Sequence, residues 1–251
     1  MDGIELASRF SYITNTLRYC GPEEAAKAFL AYIEHKKEPE AVRTAIAKFE
    51  GLPPYLRILG KRAGKDFLDY DVVEAYWIGN ELLEQCTDDD CREAITELMK
   101  RGLPEYLGKK LIAELPPGFT LHHNFNVFYV GVGNTSGKVK TTLQNRDNCR
   151  ISWGKVVETS LNTLYVETQP LLWRDGFFLG DTETKTAVFL KEMLPEIKTG
   201  DVVALHWGFA PVILNEEQLS HLQKYTQRII DVLNTVQSSA PRSSDTGQKS
   251  D

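Results

Sequence analysis

The sequence predicts an α+β protein: a helical part up to about residue 117, then a β-rich part closed by one amphipathic helix. Three observations carry this. Apolar residues recur at helical spacing in successive segments before residue 117. The stretch "ELPPGF" (Glu114 to Phe119) then breaks the pattern with paired prolines and a glycine. Beyond it, short β-rich runs are separated by turn residues.

Taken in order, "PEEAAKAFLAYIEHKK" follows Gly21-Pro22, a proline suited to a first helical turn, and Ala26, Phe29, Leu30 and Ile33 line one face. "DVVEAYWIGNELLEQ" repeats the pattern with Val73, Trp77, Leu82 and Leu83 as its buried set. Glu74, Trp77 and Glu81 also share a face with Asn80 close by, which reads as a solvent boundary or a polar pocket. "DDDCREAITELMKR" carries a capping-box signature, Asp90 with Glu93 three residues on. "GLPPYL" (Gly51 to Leu56) recurs as "GLPEYL" (Gly102 to Leu107), each placing a left-handed glycine after one helix and a proline at the start of the next. An internal duplication of about fifty residues is one account. Recurrence of common helix-break chemistry is the other.

In the second part, "NVFYVGV", "CRISWGKVVE", "TLYVETQPLLW", "FFLG" and "DVVALHWGFAPVIL" read as strands. Asn215 and Gln218 then cap a final helix whose apolar side is Leu219, Leu222, Ile229, Ile230 and Leu233. The predicted domains are 1–117, helical; 118–235, β-rich with its terminal helix; and 236–251, a polar disordered tail.

Composition excludes several functions. The 251 residues are 42% hydrophobic, enough for a sizeable core, and the net charge of −6 comes with no dense basic stripe for a nucleic-acid backbone. No run reaches the roughly 20 apolar residues needed to span a bilayer, and the N-terminus lacks a secretory apolar region. The expected setting is cytoplasmic, with the four cysteines reduced. "GVGNTSGKV" fails as a phosphate loop, because Val132 stands where the first glycine is required and Val139 follows the lysine. Cys86 and Cys91 frame "TDDD" without further ligands nearby, so a helix end and a cap explain them.

Cys149 and the histidines carry the chemistry. A thiolate is a soft ligand for iron, zinc or cuprous copper, and imidazole is its usual companion. His206, in "GDVVALHWGFA", is the best companion in the β-rich part, although spacing alone does not show that the two meet. In "LHHNFNVF", strand alternation places His123 with Phe125 and Val127 on one face and His122 on the other, so at most one imidazole faces a given site.

From Cys149 to about Leu233 the chain resembles the HypC/HupF hydrogenase-maturation chaperones. "CRISWGKVVE" is similar to the family's opening, a cysteine before an isoleucine-proline-glycine turn and a strand, with Trp153 in the proline's place. "LPEIKTGDVVALHWGFAPVILNEEQ" is similar to its closing signature, with Gly200, Asp201, His206, Gly208, Phe209 and Ala210 all matching. The family's cysteine is N-terminal, whereas Cys149 is internal. The resemblance implies a small OB-like β-barrel with a C-terminal helix. It also implies an iron centre bearing cyanide and carbon monoxide, held by Cys149 and His206. It further implies a non-enzymatic carrier or assembly role toward a nickel–iron hydrogenase large subunit or other maturation factors. Trp153 and Trp207 are candidate walls of a fixed pocket, and His122 and His123 are candidate supporting residues. An enzyme with a fixed iron site of Cys149, His206 and His122 or His123 is the alternative, and a metal-free interaction module is the third reading.

Overall fold

The computed structural model describes residues 1–239. Seven helices come first: α1 (Gly3–Thr16), α2 (Ala25–His35), α3 (Pro39–Ala47), α4 (Leu52–Ala63), α5 (Tyr70–Trp77), α6 (Asp88–Met99) and α7 (Glu105–Ala113), with a 3₁₀ turn at Glu81–Gln85. A short helix α8 (His123–Phe125) runs into a π-helical turn (Asn126–Gly131), and α9 (Leu143–Cys149) follows. The strands are β1 (Ser152–Ser160), β2 (Thr163–Thr168), β3 (Leu171–Trp173), β4 (Phe177–Leu179), β5 (Glu183–Val188) and β6 (Val202–Leu205), before the closing helix α10 (Glu216–Ser239). The α+β class is therefore as predicted.

The main sheet is antiparallel, in the order β5-β2-β1-β6, and β3-β4 forms a separate hairpin. Neither sheet is closed among the described residues. Val188, at the end of β5, donates its N–H to Gly208 (2.8 Å) and accepts from Ala210 (2.9 Å), which joins that edge to the turn after β6. One apolar cluster runs from α1 through α6 to Cys149, Ile151, Leu171, Ala204 and the buried face of α10. A smaller cluster, including Val156, Leu164, Val203 and Phe209, fills the sheet and takes in Ile13 and Ile33 from the helices. Helices and sheet thus share their packing. No described helix is long and apolar enough to cross a membrane.

Several local expectations need correcting. The "LHHNFNVF" and "NVFYVGV" runs are helical, so their strand alternation does not apply. Leu121 through Phe125 are all buried, so the segment is enclosed on every side and its apolar pattern cannot distinguish the two periods. Local hydrogen bonding decides instead: His122 is extended, and its Nδ1 accepts the Asn124 N–H at 3.1 Å. Cys149 likewise ends a helix, three residues before β1 begins. The α6 capping box belongs to Thr87, with Asp90 as the reciprocal partner in the first turn. Gly51 has φ −96°, so of the two echoed glycines only Gly102 (φ +121°) is left-handed. Tyr55 of the first copy is wholly buried, whereas Tyr106 of the second is 77% exposed. Pro170 separates β2 from β3, and β5 adds a polar edge strand beyond the predicted runs. The Asn215–Gln218 box is formed, with reciprocal bonds of 3.1 and 2.8 Å. α10 continues to Ser239, past the expected start of the tail, and residues 240–251 of that tail lie outside the described residues.

One ion network fixes α9, and with it Cys149. Asp147 accepts from Arg150 Nε (2.9 Å), the Leu171 N–H (2.8 Å) and Lys185 Nζ (3.0 Å), tying the helix to β3 and β5. Arg150 is 2% exposed and also donates to the Gln169 carbonyl. Arg146 anchors the same helix on the Phe128 carbonyl. Burial pushes the Asp147 carboxyl up, but Arg150, the Leu171 amide and Lys185 outweigh it and hold its pKa below the ordinary value. Its contribution is therefore intact above the unfolded value of about 3.9 and is lost only as pH falls through the folded one. Asp147→Ala strands the Arg150 guanidinium in the core and is expected to cost about 3–5 kcal/mol, read from urea unfolding at neutral pH.

Candidate metal centre

Five separate segments deliver the site. α1 brings the Phe10 carbonyl, the end of α5 brings Tyr76 and Trp77, α8 brings His123, and α9 ends in Cys149. His206 follows β6 in a tight turn closed by reciprocal backbone bonds with Phe209 (2.9 and 3.0 Å). Trp207 and Gly208 both take positive φ there (53° and 68°), which turns the chain back. The Trp207 N–H also donates to the Asn148 carbonyl at 2.6 Å, holding this turn against the end of α9.

Cys149 Sγ lies 4.0 Å from His206 Nε2 and 3.8 Å from His123 Nε2. The three potential ligand atoms fall within 4.8 Å of one another, and all three residues are buried. The structure brings together Cys149, His206 and, of the two adjacent histidines, His123. His122 points elsewhere, because it is the extended residue before α8 and its Nδ1 turns back to accept the Asn124 N–H. Its ring stacks near Tyr225 (6.4 Å), and its Nε2 has no hydrogen-bond partner among the described residues. Trp207 lines the cavity beside the cluster, whereas Trp153 sits on β1 opposite Ala204 and is not among the lining residues.

That cavity has a volume of about 60 Å³, and its wall includes Tyr19, Cys20, Tyr76, Trp77 and Trp207 besides the three cluster residues. Most of these wall residues come from the helical half. Trp77 is legible in the sequence only as a buried residue of its helix. Its stacking on Phe10 (5.0 Å, 7° between planes) and approach to His123 (4.5 Å) follow from helix packing. Glu74, Asn80 and Glu81 line a different, polar groove against α10, where Gln218 donates to Glu74 at 2.8 Å. Glu81, Glu217 and His221 also converge there, but both carboxylates are exposed and remain hydrated. Cys86 and Cys91 form no disulfide, and Cys86 caps the 3₁₀ turn.

The protons of the cluster can be placed from its partners. A carbonyl only accepts, so His206 Nδ1–H donates to Phe10 O (3.1 Å), leaving Nε2 with a free lone pair toward the sulfur. His123 Nε2 faces the Cys149 carbonyl at 3.0 Å and so carries its proton there, with Nδ1 accepting from the Tyr76 hydroxyl at 2.9 Å. To offer Nε2 as a ligand, His123 must shift its proton to Nδ1, where Tyr76 can accept it. Burial depresses the pKa of every imidazole here: His206 to about 4, His122 to about 3, and His123 well below the ordinary value with further repulsion from His206. Burial raises the Cys149 thiol, and a loose contact with the Trp207 indole works the other way. The resting cluster is therefore neutral: two imidazoles and a thiol. Such a set can bind a divalent cation with release of the thiol proton.

Comparison with known proteins adds one assignment. The chain belongs to the family of unknown function DUF6390, whose model matches residues 1–240. No curated protein and no solved structure matches it.

Because the folded histidine pKa values lie below the unfolded value of about 6.5, the neutral histidines contribute full stability above that pH and lose it as pH falls toward 4. Each buried histidine costs up to about 1.4 kcal/mol per pH unit in that window. Urea midpoints should therefore drop between about pH 7.5 and about pH 5. His206→Asn retains a donor for the Phe10 carbonyl but does not titrate, so the drop should shrink in that variant.

Proposed function

We propose that this protein binds iron through Cys149, His206 and His123 and acts as a metallocentre-assembly or carrier protein in nickel–iron hydrogenase maturation. Cyanide and carbon monoxide are the further ligands in this reading, and the hydrogenase large subunit or other maturation factors are the partners. Its setting is cytoplasmic, where Cys149 stays reduced. The observation that carries it is the approach of Cys149 Sγ to His206 Nε2, from positions 57 residues apart in the chain. These are the two residues that the HypC/HupF resemblance singles out.

Donor chemistry supports the reading. Thiolate and imidazole together suit iron, zinc or cuprous copper, and a thiolate donor suits low-spin iron with diatomic ligands. A tetrahedral site with ordinary metal–sulfur and metal–nitrogen bonds separates sulfur from nitrogen by roughly 3.5 Å, so the observed spacings need only sub-ångström adjustment. The sheet, open but bridged from Val188 to Phe209, is consistent with a partly open OB-type barrel.

A second reading is favoured by one observation: Cys149 is only 8% exposed and has a third potential ligand beside it. An enzyme with a fixed iron site of Cys149, His206 and His123 fits that enclosure. Anaerobic purification followed by metal analysis and infrared spectroscopy separates the readings. The carrier predicts iron with cyanide and carbonyl stretches, all lost in Cys149→Ala and in His206→Ala. Iron without those bands favours the enzyme. A metal-free protein indifferent to both substitutions sinks both and leaves an interaction module. Tyr76→Phe removes the acceptor for the His123 Nδ1 proton, and metal affinity should fall about 10-fold or more in a competitive chelator titration.

A further inference from the structure

Two tryptophans lining the cavity beside the cluster carry buried indole N–H groups with no oxygen or nitrogen acceptor. The indole N–H groups of Trp77 and Trp207 are shielded from solvent and have no hydrogen-bond partner among the described residues. Both rings line the 60 Å³ cavity. Trp77 is 3% exposed, and its ring centroid lies 4.5 Å from that of His123 and 5.5 Å from that of His206. Trp207 adjoins His206 in the chain, and its indole approaches the Cys149 sulfur. A buried N–H left unpaired costs about 1–3 kcal/mol, so two at one cavity amount to a sizeable standing cost. An acceptor placed between them would remove it.

The acceptors nearest the cluster are already engaged. The Phe10 and Cys149 carbonyls are engaged by the two imidazoles, and the Tyr76 hydroxyl by His123. Asn126 Oδ1 already accepts from Tyr55 at 3.0 Å. The buried groups left unpaired at the cavity are thus N–H donors, which favours a ligand that accepts hydrogen bonds. The volume exceeds the roughly 10–15 Å³ that one water requires and admits a ligand of about three atoms.

We propose that this cavity binds a small inorganic anion beside Cys149, His206 and His123, held by the indole N–H groups of Trp77 and Trp207. The anionic charge rests on the metal reading given above. Both imidazoles are neutral, so an anion buried here requires the charge of a bound divalent cation to compensate it. The indoles then act as the recognition elements for that ligand, which gives the helical half of the chain a direct part in the site through Trp77.

Azide is a suitable probe, with zinc as a diamagnetic cation. In zinc-loaded protein labelled with ¹⁵N at the indoles, the four tryptophans give four N–H resonances, assigned by single Trp→Phe substitutions. Azide is expected to shift the Trp77 and Trp207 signals downfield and saturably, leaving Trp153 and Trp173 in place. Trp77→Phe and Trp207→Phe should each weaken azide about tenfold or more, the scale of a hydrogen bond to a charged group, with zinc stoichiometry unchanged. If either variant fails to fold, the wild-type shifts decide. Zinc binding with both indole signals unmoved by azide, or with azide affinity intact in both variants, overturns the anion site and leaves the metal reading standing. Failure to bind zinc, with Cys149→Ala without effect, overturns the metal reading and this inference with it.

Discussion

Burying two imidazoles and a thiol in a seam between helices and sheet sets a constraint that the surrounding architecture must meet: each ring N–H needs an acceptor, because an unpaired one costs a large fraction of a domain's net stability. His206 finds its acceptor 196 residues away, on the Phe10 carbonyl of α1. His123 is bracketed by the Tyr76 hydroxyl of α5 and the Cys149 carbonyl of α9. These bonds fix the spacing between the first helix and the last strand, and the stacked pair Phe10–Trp77 fills the space they define. Beside the cluster the pair of indole donors on the cavity wall departs from this, as His122 Nε2 and Ser11 Oγ do elsewhere in the core.

A second polar network offsets what burial costs on the other side of the seam. Asp147 and Arg150 flank Cys149 in the chain and carry opposite charges almost out of water. Their mutual bond, with Lys185 and the Leu171 amide, couples the end of α9 to both sheets. The cysteine is thereby held from both sides rather than presented at a mobile tip. That rigidity suits a preorganised ligand set, since little order remains to be imposed when a cation binds.

Much of this was legible along the chain. Helical spacing located α2, the start of α5, α6 and the apolar face of α10, because those faces alternate with solvent and so leave a periodic trace, whereas α1 and α3 went unread. Cys149 and His206 were legible as chemistry, through residue type and through the signature around Gly208-Phe209-Ala210. The "LHHNFNVF" segment was not, because a stretch enclosed on all sides has no polar face to reveal its period. The choice of His123 over His122 follows from the start of that helix, where His122 is extended and caps the Asn124 N–H. Trp153 and Trp207 look equivalent in sequence, yet only Trp207 sits in the turn that doubles back onto the end of α9.

The sequence by itself determined the class of fold, several of the helices, the final capped helix and the residues capable of holding a metal, since all of these depend on local pattern or side-chain chemistry. The tertiary structure decided which of those residues meet. It also decided that β1 starts after Cys149 rather than at it, and that α1 and α5 supply Phe10, Tyr76 and Trp77 to the same seam. The physical reason is that convergence here is made by packing and hydrogen bonds between segments far apart in the chain, such as Phe10 with His206 and Asn124 with Ile151 and Thr226. Bonds of that kind leave no periodic mark on the sequence that makes them.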